Sequence, residues 1–379
     1  MTRKQFLILL IAVVVLGGAG LALVWQDIAA YRASGARIGA KLLPNLKIAD
    51  VAEIRLQDAK DHVTLTRQEK YWVVKERGGY PASFQEISDL MLKLVELKVT
   101  QSEQVGPSLW PRLDLAEPEK GKTGGAGTVI DFRDAKGKSL TRIVLGKKVL
   151  KKDPLNPLPA AKDGVPAGRY VRVEGGKETV VVVSDPLNSA EANPGRWLNK
   201  EFFKVDRIRT LAAGPEGAAP SWKISRDEEW GQWKFAAGGG VLNPSAAVAV
   251  VNKLGSLSFQ DVAAEAKPQT EGKPTVMVAE TFDHLVYTVK LAKKAGSDDY
   301  LVNFSVSGEP PKSRAPEKGE KPEEAARRDQ EFAASRKRLE SRLAAERALG
   351  KWTYVVERRE LEPLLMSRGD MLPPPREKN

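Results

Sequence analysis

The chain has 379 residues, a formal net charge of +11, two histidines and no cysteine. This composition excludes thiolate chemistry, Cys-ligated zinc and iron–sulfur clusters, and it leaves packing alone to hold the fold. The basic residues are dispersed among acids without a long basic block, so the charge reads as a solvated surface and not as a nucleic-acid footprint; no nucleic-acid partner and no cofactor are expected.

Taken from the start, Phe6 to Val24 is an apolar run without a charged residue, long enough at roughly 30 Å to cross a bilayer core. Arg3 and Lys4 precede it and Trp25 closes it, the pattern of a helix whose N-terminus stays in the cytoplasm. The expectation is a five-residue cytoplasmic tail (1–5), a transmembrane anchor (6–25) and a stalk (26–44). The chain would then be a single-pass protein of a bacterial inner membrane with its bulk periplasmic or otherwise extracytoplasmic. A cleaved secretory signal is the alternative reading of the same run.

Beyond the stalk, Val51, Ile54 and Leu56 mark one strand, Val63 and Leu65 a second, and Tyr71 to Val74 a third. Ser83 and Glu86 have the spacing of a capping box, and Ile87, Leu90, Met91, Leu94 and Leu97 recur at helical period behind them. Residues 101–127 read as a connector punctuated by Pro107, Pro111 and Pro118. Gly121-Lys122-Thr123 within it lacks the glycine spacing and preceding strand of a phosphate loop. Val129–Phe132 and Leu140–Leu145 form a strand pair, a proline-rich excursion covers 147–167, and Tyr170–Val173 with Thr179–Val183 forms a second pair. Trp197 and Leu198 are expected to dock on the core.

The order then repeats. Val205 and Ile208 have the spacing of Val51 and Ile54, and Trp222–Arg226 followed by Trp233–Phe235 echoes Val63–Arg67 followed by Trp72–Val74. Asn243 and Pro244 open a second helix with Val248, Val251, Leu254 and Leu257 on one stripe. Strands at Thr275–Val278, Leu285–Leu291, Tyr300–Val306 and Trp352–Val356 complete the unit. The reading is α+β: the N-terminal transmembrane helix followed by two tandem copies of a mixed sheet-plus-helix domain, at 45–200 and 201–370. The second copy carries a charged helical insertion at 309–349, and a disordered tail follows at 371–379. Two copies are too few for a solenoid.

No nucleophile elbow, zinc-protease helix or dinucleotide glycine pattern occurs, and no catalytic, cofactor-binding or metal-ligating residue is assigned. His62 and His284 each sit beside an acid in a predicted turn, and Glu53, Asp58, Asp131 and Asp134 are the carboxylates from which a glycan hydrolase would have to draw its pair. Among the tryptophans, Trp72, Trp233 and Trp352 lie in alternating apolar patterns and read as core, whereas Trp230 breaks the alternation and reads as exposed. Trp230, together with Phe332, Leu339 and Leu343 on the narrow apolar stripe of the inserted helix, are the candidate contacts for a ligand or partner.

The run Trp72-Val73-Val74, then Gly79-Tyr80-Pro81-Ala82, a helix ending in Leu94, Leu97 and Lys98, and the strand closing on Ile143–Lys147 together resemble the DUF4340 family of bacterial membrane-anchored proteins. The resemblance covers most of 45–200 and returns more faintly in 201–370, where Leu242-Asn243-Pro244 replaces the Tyr-Pro step. It implies no catalytic residues. It implies envelope membrane proteins as partners, including the permease of a gliding-motility-like ABC export system. The resulting expectation is a non-enzymatic, membrane-anchored accessory or scaffold protein. The alternative is a periplasmic carbohydrate- or peptide-binding module, and a carboxylate-dependent glycan hydrolase is a third reading.

Overall fold

The structure, a computed structural model, describes residues 38–103, 105–151, 164–174, 179–265, 267–316 and 319–373. It is α+β, with two large antiparallel sheets, and the chain divides into two compact units between Trp197 and Leu198.

The first unit is built on strands β1 (Glu53–Gln57), β2 (His62–Arg67), β3 (Trp72–Val74), β4 (Tyr80–Pro81), β5 (Val99–Glu103), β6 (Thr128–Arg133), β7 (Ser139–Lys151), β8 (Val165–Val173) and β9 (Thr179–Val183). They pair in the order β4-β3-β2-β1-β6-β7-β8-β9-β5. Helix α1 (Phe84–Glu96) joins β4 at one edge to β5 at the other. That connection lays its buried stripe of Ile87, Leu90, Met91 and Leu94 over the sheet face bearing Ile54, Leu56, Leu65, Ile130 and Phe132, all fully buried. Only half of the expected capping box forms. Ser83 Oγ accepts from the Glu86 amide at 3.3 Å, but the Glu86 carboxylate is taken by Arg196 at 2.7 and 3.0 Å, and the Ser83 amide donates instead to the Trp197 carbonyl. A bidentate charged partner outcompetes a neutral amide for the same carboxylate.

Two sequence expectations change here. The described ends of the proline-rich excursion are strand: β7 continues to Lys151 and pairs with Val165–Arg169 of β8, and residues 152–163 lie outside the described residues. The connector is a cover. Its 3-10 segment Pro107–Leu113 and Leu115 lie against the sheet face opposite α1, where Leu115 packs with Val129, Val144 and Val180, and Val105, Trp110, Leu113 and Tyr170 close round them.

The second unit has strands β10 (Ile208–Pro215), β11 (Trp222–Ser225), β12 (Lys234–Phe235), β13 (Asp261–Val262), β14 (Thr270–Thr281), β15 (Leu285–Lys294), β16 (Tyr300–Gly308) and β17 (Tyr354–Val356). Their order, β12-β11-β10-β14-β15-β16-β17-β13, is that of the first sheet without a counterpart of β4. Each strand pairing in both sheets is antiparallel, so neither sheet is mixed. Helix α2 (Pro244–Gly255) again links the two edges, with Asn243 Oδ1 accepting from the Ser245 amide at 3.0 Å. The core beneath is aromatic: the Phe203 ring stacks on Phe304 at 4.2 Å and Phe202 meets Tyr354 at 4.5 Å.

Helix α3 (Pro322–Leu349) is the charged insertion. Only Leu343 and Glu346 of it are buried. Glu346 accepts from the Tyr287 hydroxyl at 2.8 Å and the Lys204 amide at 3.1 Å, which fastens the C-terminal end of the helix to the unit. Burial raises the Glu346 pKa, against the pull of the Tyr287 and Lys204 bonds. A short helix, α4 (Arg358–Leu361), follows β17.

The transmembrane part of the expectation is corrected. Among the described residues no helix is long and apolar enough to cross a membrane: α1 and α2 have 13 and 12 residues where about 20 are needed, and the 28-residue α3 is coated with Glu and Arg. The 6–25 run, most of the 26–44 stalk and the tail from 374 lie outside the described residues. Among the described residues the fold therefore stands as α+β without a transmembrane helix. The single-pass inner-membrane topology, the periplasmic placement and the tie to an ABC permease or other membrane partner through 6–25 are withdrawn with it.

Candidate functional site

The two sheets can be aligned residue by residue. Leu65 pairs with Val74, and Ile224 with Phe235. Counting ladders outward from these pairs sets Ile54 against Leu211 and Phe132 against Ala279. On the face opposite the helix, the first sheet then carries the row Arg55–Asp131–Arg142, and the second carries Ala212–Val278–Thr288 at the same ladder positions, continuing to Ser305. One row further along, Val129 and Val144 of the first sheet correspond to Val276 and Lys290 of the second. Strand alternation puts every second residue on this face, so the whole row changes character together.

In the first unit this face is occupied. Asp131 is bonded by Arg133 at 2.7 Å and by Ser139 Oγ at 2.6 Å. Arg172, almost wholly buried, lies under the Trp110 ring at 4.2 Å. Glu117, on the far side of the cover, receives Arg142 at 2.5 Å and Arg172 at 2.7 Å. Burial works against the Glu117 charge, but the Arg142 and Arg172 bonds prevail and hold its pKa below the ordinary value.

In the second unit the corresponding face has no cover among the described residues. Ala212, Val276, Val278 and Thr288 remain partly exposed and floor a groove of about 330 Å³. The β10–β11 turn walls it. A Cβ at Gly214 would lie 2.8 Å from Pro220 Cα and 2.9 Å from the Ser221 amide, so glycine is what lets the turn curl over the strand. Lys290 closes one side through an ion pair with Glu216 at 2.7 Å. No aromatic ring lines the groove.

The far end of the same strands is rich in arginine and aromatic rings. The Arg226 guanidinium lies over Trp233 at 4.8 Å and Phe282 at 5.6 Å, and Arg209 reaches Phe282 at 6.0 Å. Burial lowers the Arg226 pKa from its ordinary value while Glu229 acts in the other direction. Arg207 clamps Glu229 bidentately at 2.8 and 2.9 Å and also bonds Asp283. The Arg207 bond is the main cause of a depressed Glu229 pKa. This clamp fixes the loop that presents Trp230, whose side chain is 92% exposed. Arg207 and His284, both at this end, have left-handed φ of 51° and 60°, a conformation that costs non-glycine residues of order 1 kcal/mol and gathers at functional sites.

The other candidates are distributed differently. Leu343 is buried against the unit, while Phe332 and Leu339 are half-buried further along α3. Phe332 borders a groove of about 650 Å³ between the helix and Lys312–Arg314, where both arginines are committed: Arg314 to Glu320 and Asp329, Arg336 to Glu340 and the Lys312 carbonyl. Thus α3 and Trp230 do not form one site. Trp72 is core as expected, but Trp233 and Trp352 are only half-buried, the first beside the Arg226 guanidinium and the second beside Lys351. The hydrolase carboxylates do structural work. Asp58 and Asp134 accept turn amides, and Glu53 pairs with Arg55. Among the described residues no group of His, Asp and Glu could hold a metal ion. The arginine–aromatic end escapes sequence reasoning because Arg226 and Phe282 are 56 positions apart; the one readable signal was the break in alternation at Trp230.

A family model described as a domain of unknown function (DUF4340) matches residues 159–275. The match straddles the break between the units and covers under half of the chain, so the expected coverage of 45–200 with a faint return beyond is corrected, and the membrane anchor associated with the resemblance gains no support from it. No curated protein and no solved structure matches.

Proposed function

We propose that this chain is a polypeptide-binding module that works through its second unit, and that its two units, 45–200 and 201–370, are copies of one α+β design. The observation that carries the binding reading is the outer face of the second sheet: among the described residues an uncovered Ala212–Val278–Thr288–Ser305 stretch, with a cluster of Arg207, Arg209, Arg226, Trp230, Trp233 and Phe282 at the far end of the same strands. Arginine and tryptophan are the residues that protein interfaces favour, because each combines a large contact surface with directional polar groups. A nearly fully exposed indole on a clamped loop also supports a second reading, stacking on a sugar ring.

Presenting the full chain to peptide and glycan arrays separates the two. The proposal expects saturable peptide binding that weakens at least about tenfold in Trp230→Ala and Arg226→Ala. Trp230→Ala should leave thermal unfolding within about 0.5 kcal/mol of the parent, as for an exposed side chain. Glycan binding alone would replace the first reading by the second, and an absence of any binding would end both.

A further inference from the structure

The strand ends of the second unit border a further cleft, on the helix side of the sheet, whereas Ala212, Val276, Val278 and Thr288 floor the groove on the outer side. Trp222 is the register partner of Ala213, and Thr275 that of Pro215. Ala213 and Trp222 lie two residues from the buried Leu211 and Ile224, so strand alternation turns them to the same, inner side. After β17 the chain passes these strand ends as the 3-10 turn Glu362–Leu365. The Trp222 indole donates Nε1–H to the Met366 carbonyl at 2.9 Å and fixes that passage. Between strand ends and turn is a cleft of about 340 Å³ walled by Pro215, Trp222, Leu364, Leu365 and Met366. A cleft of this size, with apolar walls and a few convergent polar groups, is the usual form of a small-ligand site.

The charge in this cleft is of one sign. Lys273 and Arg368 line it, and no Asp or Glu does. Acids close to the lining residues in sequence are engaged elsewhere: Glu216 with Lys290, Glu271 with Lys293 and the Gly296 amide, and Asp370 with the Ser367 amide and hydroxyl. Among the described residues neither Lys273 nor Arg368 pairs with a carboxylate. Arg368 is oriented by neutral partners instead. Its guanidinium lies on the Phe235 ring at 4.2 Å and donates to the Ala237 and Gly239 carbonyls at 3.2 and 2.6 Å. Gly238, at φ 85°, makes this possible, because a Cβ there would lie 2.9 Å from Arg368 Nη2. Carbonyls and a ring hold a cation in place without cancelling its charge. The Ser221 and Thr275 hydroxyls add neutral donors to the same walls.

We propose that this cleft binds an apolar body ending in a single carboxylate, the apolar part against Trp222, Leu365 and Met366 and the carboxylate on Lys273 and Arg368. Two cations without an acid select an anion, and walls this apolar select a ligand with one charged head over inorganic phosphate or a sugar. A free aliphatic acid and the C-terminus of a polypeptide with apolar last residues share this chemistry. The inference goes beyond the polypeptide-binding reading and does not rest on it. Calorimetric titration of the full chain with octanoate and with N-acetyl-leucyl-leucine tests it and separates the two sources. Saturable binding of at least one of them is expected. Octan-1-ol and the dipeptide amide keep the apolar body and lose the charge, and they should bind at least about tenfold more weakly. Lys273→Glu, at an exposed position, should weaken carboxylate binding by at least about tenfold. Lys337→Glu, an equal change of charge on α3, should leave it unaltered. Trp230→Ala should leave it unaltered as well, so failure of this inference and failure of the polypeptide-binding reading show in different variants. No saturable binding of either carboxylate, equal binding of the uncharged analogues, or binding that survives Lys273→Glu would each overturn the proposal.

Discussion

The two sheets share an order of strands and differ in what lies on the face away from the helix. In the first unit, Trp110, Leu113 and Leu115 of the chain's own connector close that face, and a buried arginine is neutralised by a carboxylate carried on the cover. In the second, the same ladder positions hold Ala212, Val276, Val278 and Thr288, partly open to solvent. The connector before β14 is too short to reach across, and the long insertion before β17 goes to the other side of the sheet, where Glu346 meets Tyr287. One architecture thus yields a self-satisfied face and an available one, and the difference lies in about a dozen connector residues and one row of side chains.

The largest way to break the comparison is to cut the cover. Leu115→Ala removes a fully buried side chain and should cost about 3 kcal/mol, whereas Val276→Ala on the open face should cost less than about 1 kcal/mol. Hydrogen exchange read separately in the two units measures both. Equal costs would mean that the two faces are covered alike.

The second test concerns how each unit's added segment is held. Glu346→Ala strands the Tyr287 hydroxyl and the Lys204 amide and should cost about 2 kcal/mol, while Glu346→Gln keeps an acceptor for the Lys204 amide and gives the Tyr287 hydroxyl an N–H to accept from, and should cost less. The pH dependence follows from burial, which raises the Glu346 pKa despite its bonds to Tyr287 and Lys204 and the nearby Arg342, with Asp206 reinforcing the rise. A raised folded-state pKa contributes stability that is complete below the ordinary glutamate range and is lost as pH climbs through the folded value. Protection of α3 should therefore fall with rising pH over that window, and Glu346→Gln should flatten the profile.

The smallest effect has the opposite sign. Glu117 on the cover of the first unit is held below its ordinary pKa; burial opposes this, and the Arg142 and Arg172 bonds outweigh it. Its contribution is present above the ordinary glutamate range and is lost as pH falls through the lower, folded value. Because its side chain is 47% exposed, Glu117→Gln should cost no more than about 1 kcal/mol. The cover should loosen in acid while α3 tightens; a common direction in both would contradict the assignment of these two carboxylates.

What was legible in the sequence was local. Ser83 and Asn243 announced their helices because a cap reads out within three residues, and the hairpins followed from alternation. Trp230 was legible as exposed because it falls outside an alternating run. Trp233 was misread as core because the cation beneath it, Arg226, becomes its neighbour only once the strands pair. The cover was illegible for the same reason. Residues 105–117 have no helical or strand period, and the contacts that hold them lie 25 and 55 positions away, at Arg142 and Arg172. An alternating strand such as Thr275–Ala279 presents one face to the core whether or not the other face is covered, so openness had no signature. The apolar run at 6–25 was read as an anchor on length and charge alone, and no described helix supplies one.

The central claim is that one ladder position is shut in the first unit and open in the second, and the chain's lack of cysteine allows a direct measurement. Val129→Cys and Val276→Cys place single thiols at corresponding positions, the first on a residue 5% exposed and the second on one partly open. With a small neutral thiol reagent in native buffer, Val276→Cys should react at close to the rate of the unfolded chain. Val129→Cys should react at least about a hundredfold more slowly, since it must await opening of the cover. Equal rates, or the slower rate at Val276→Cys, would contradict the account.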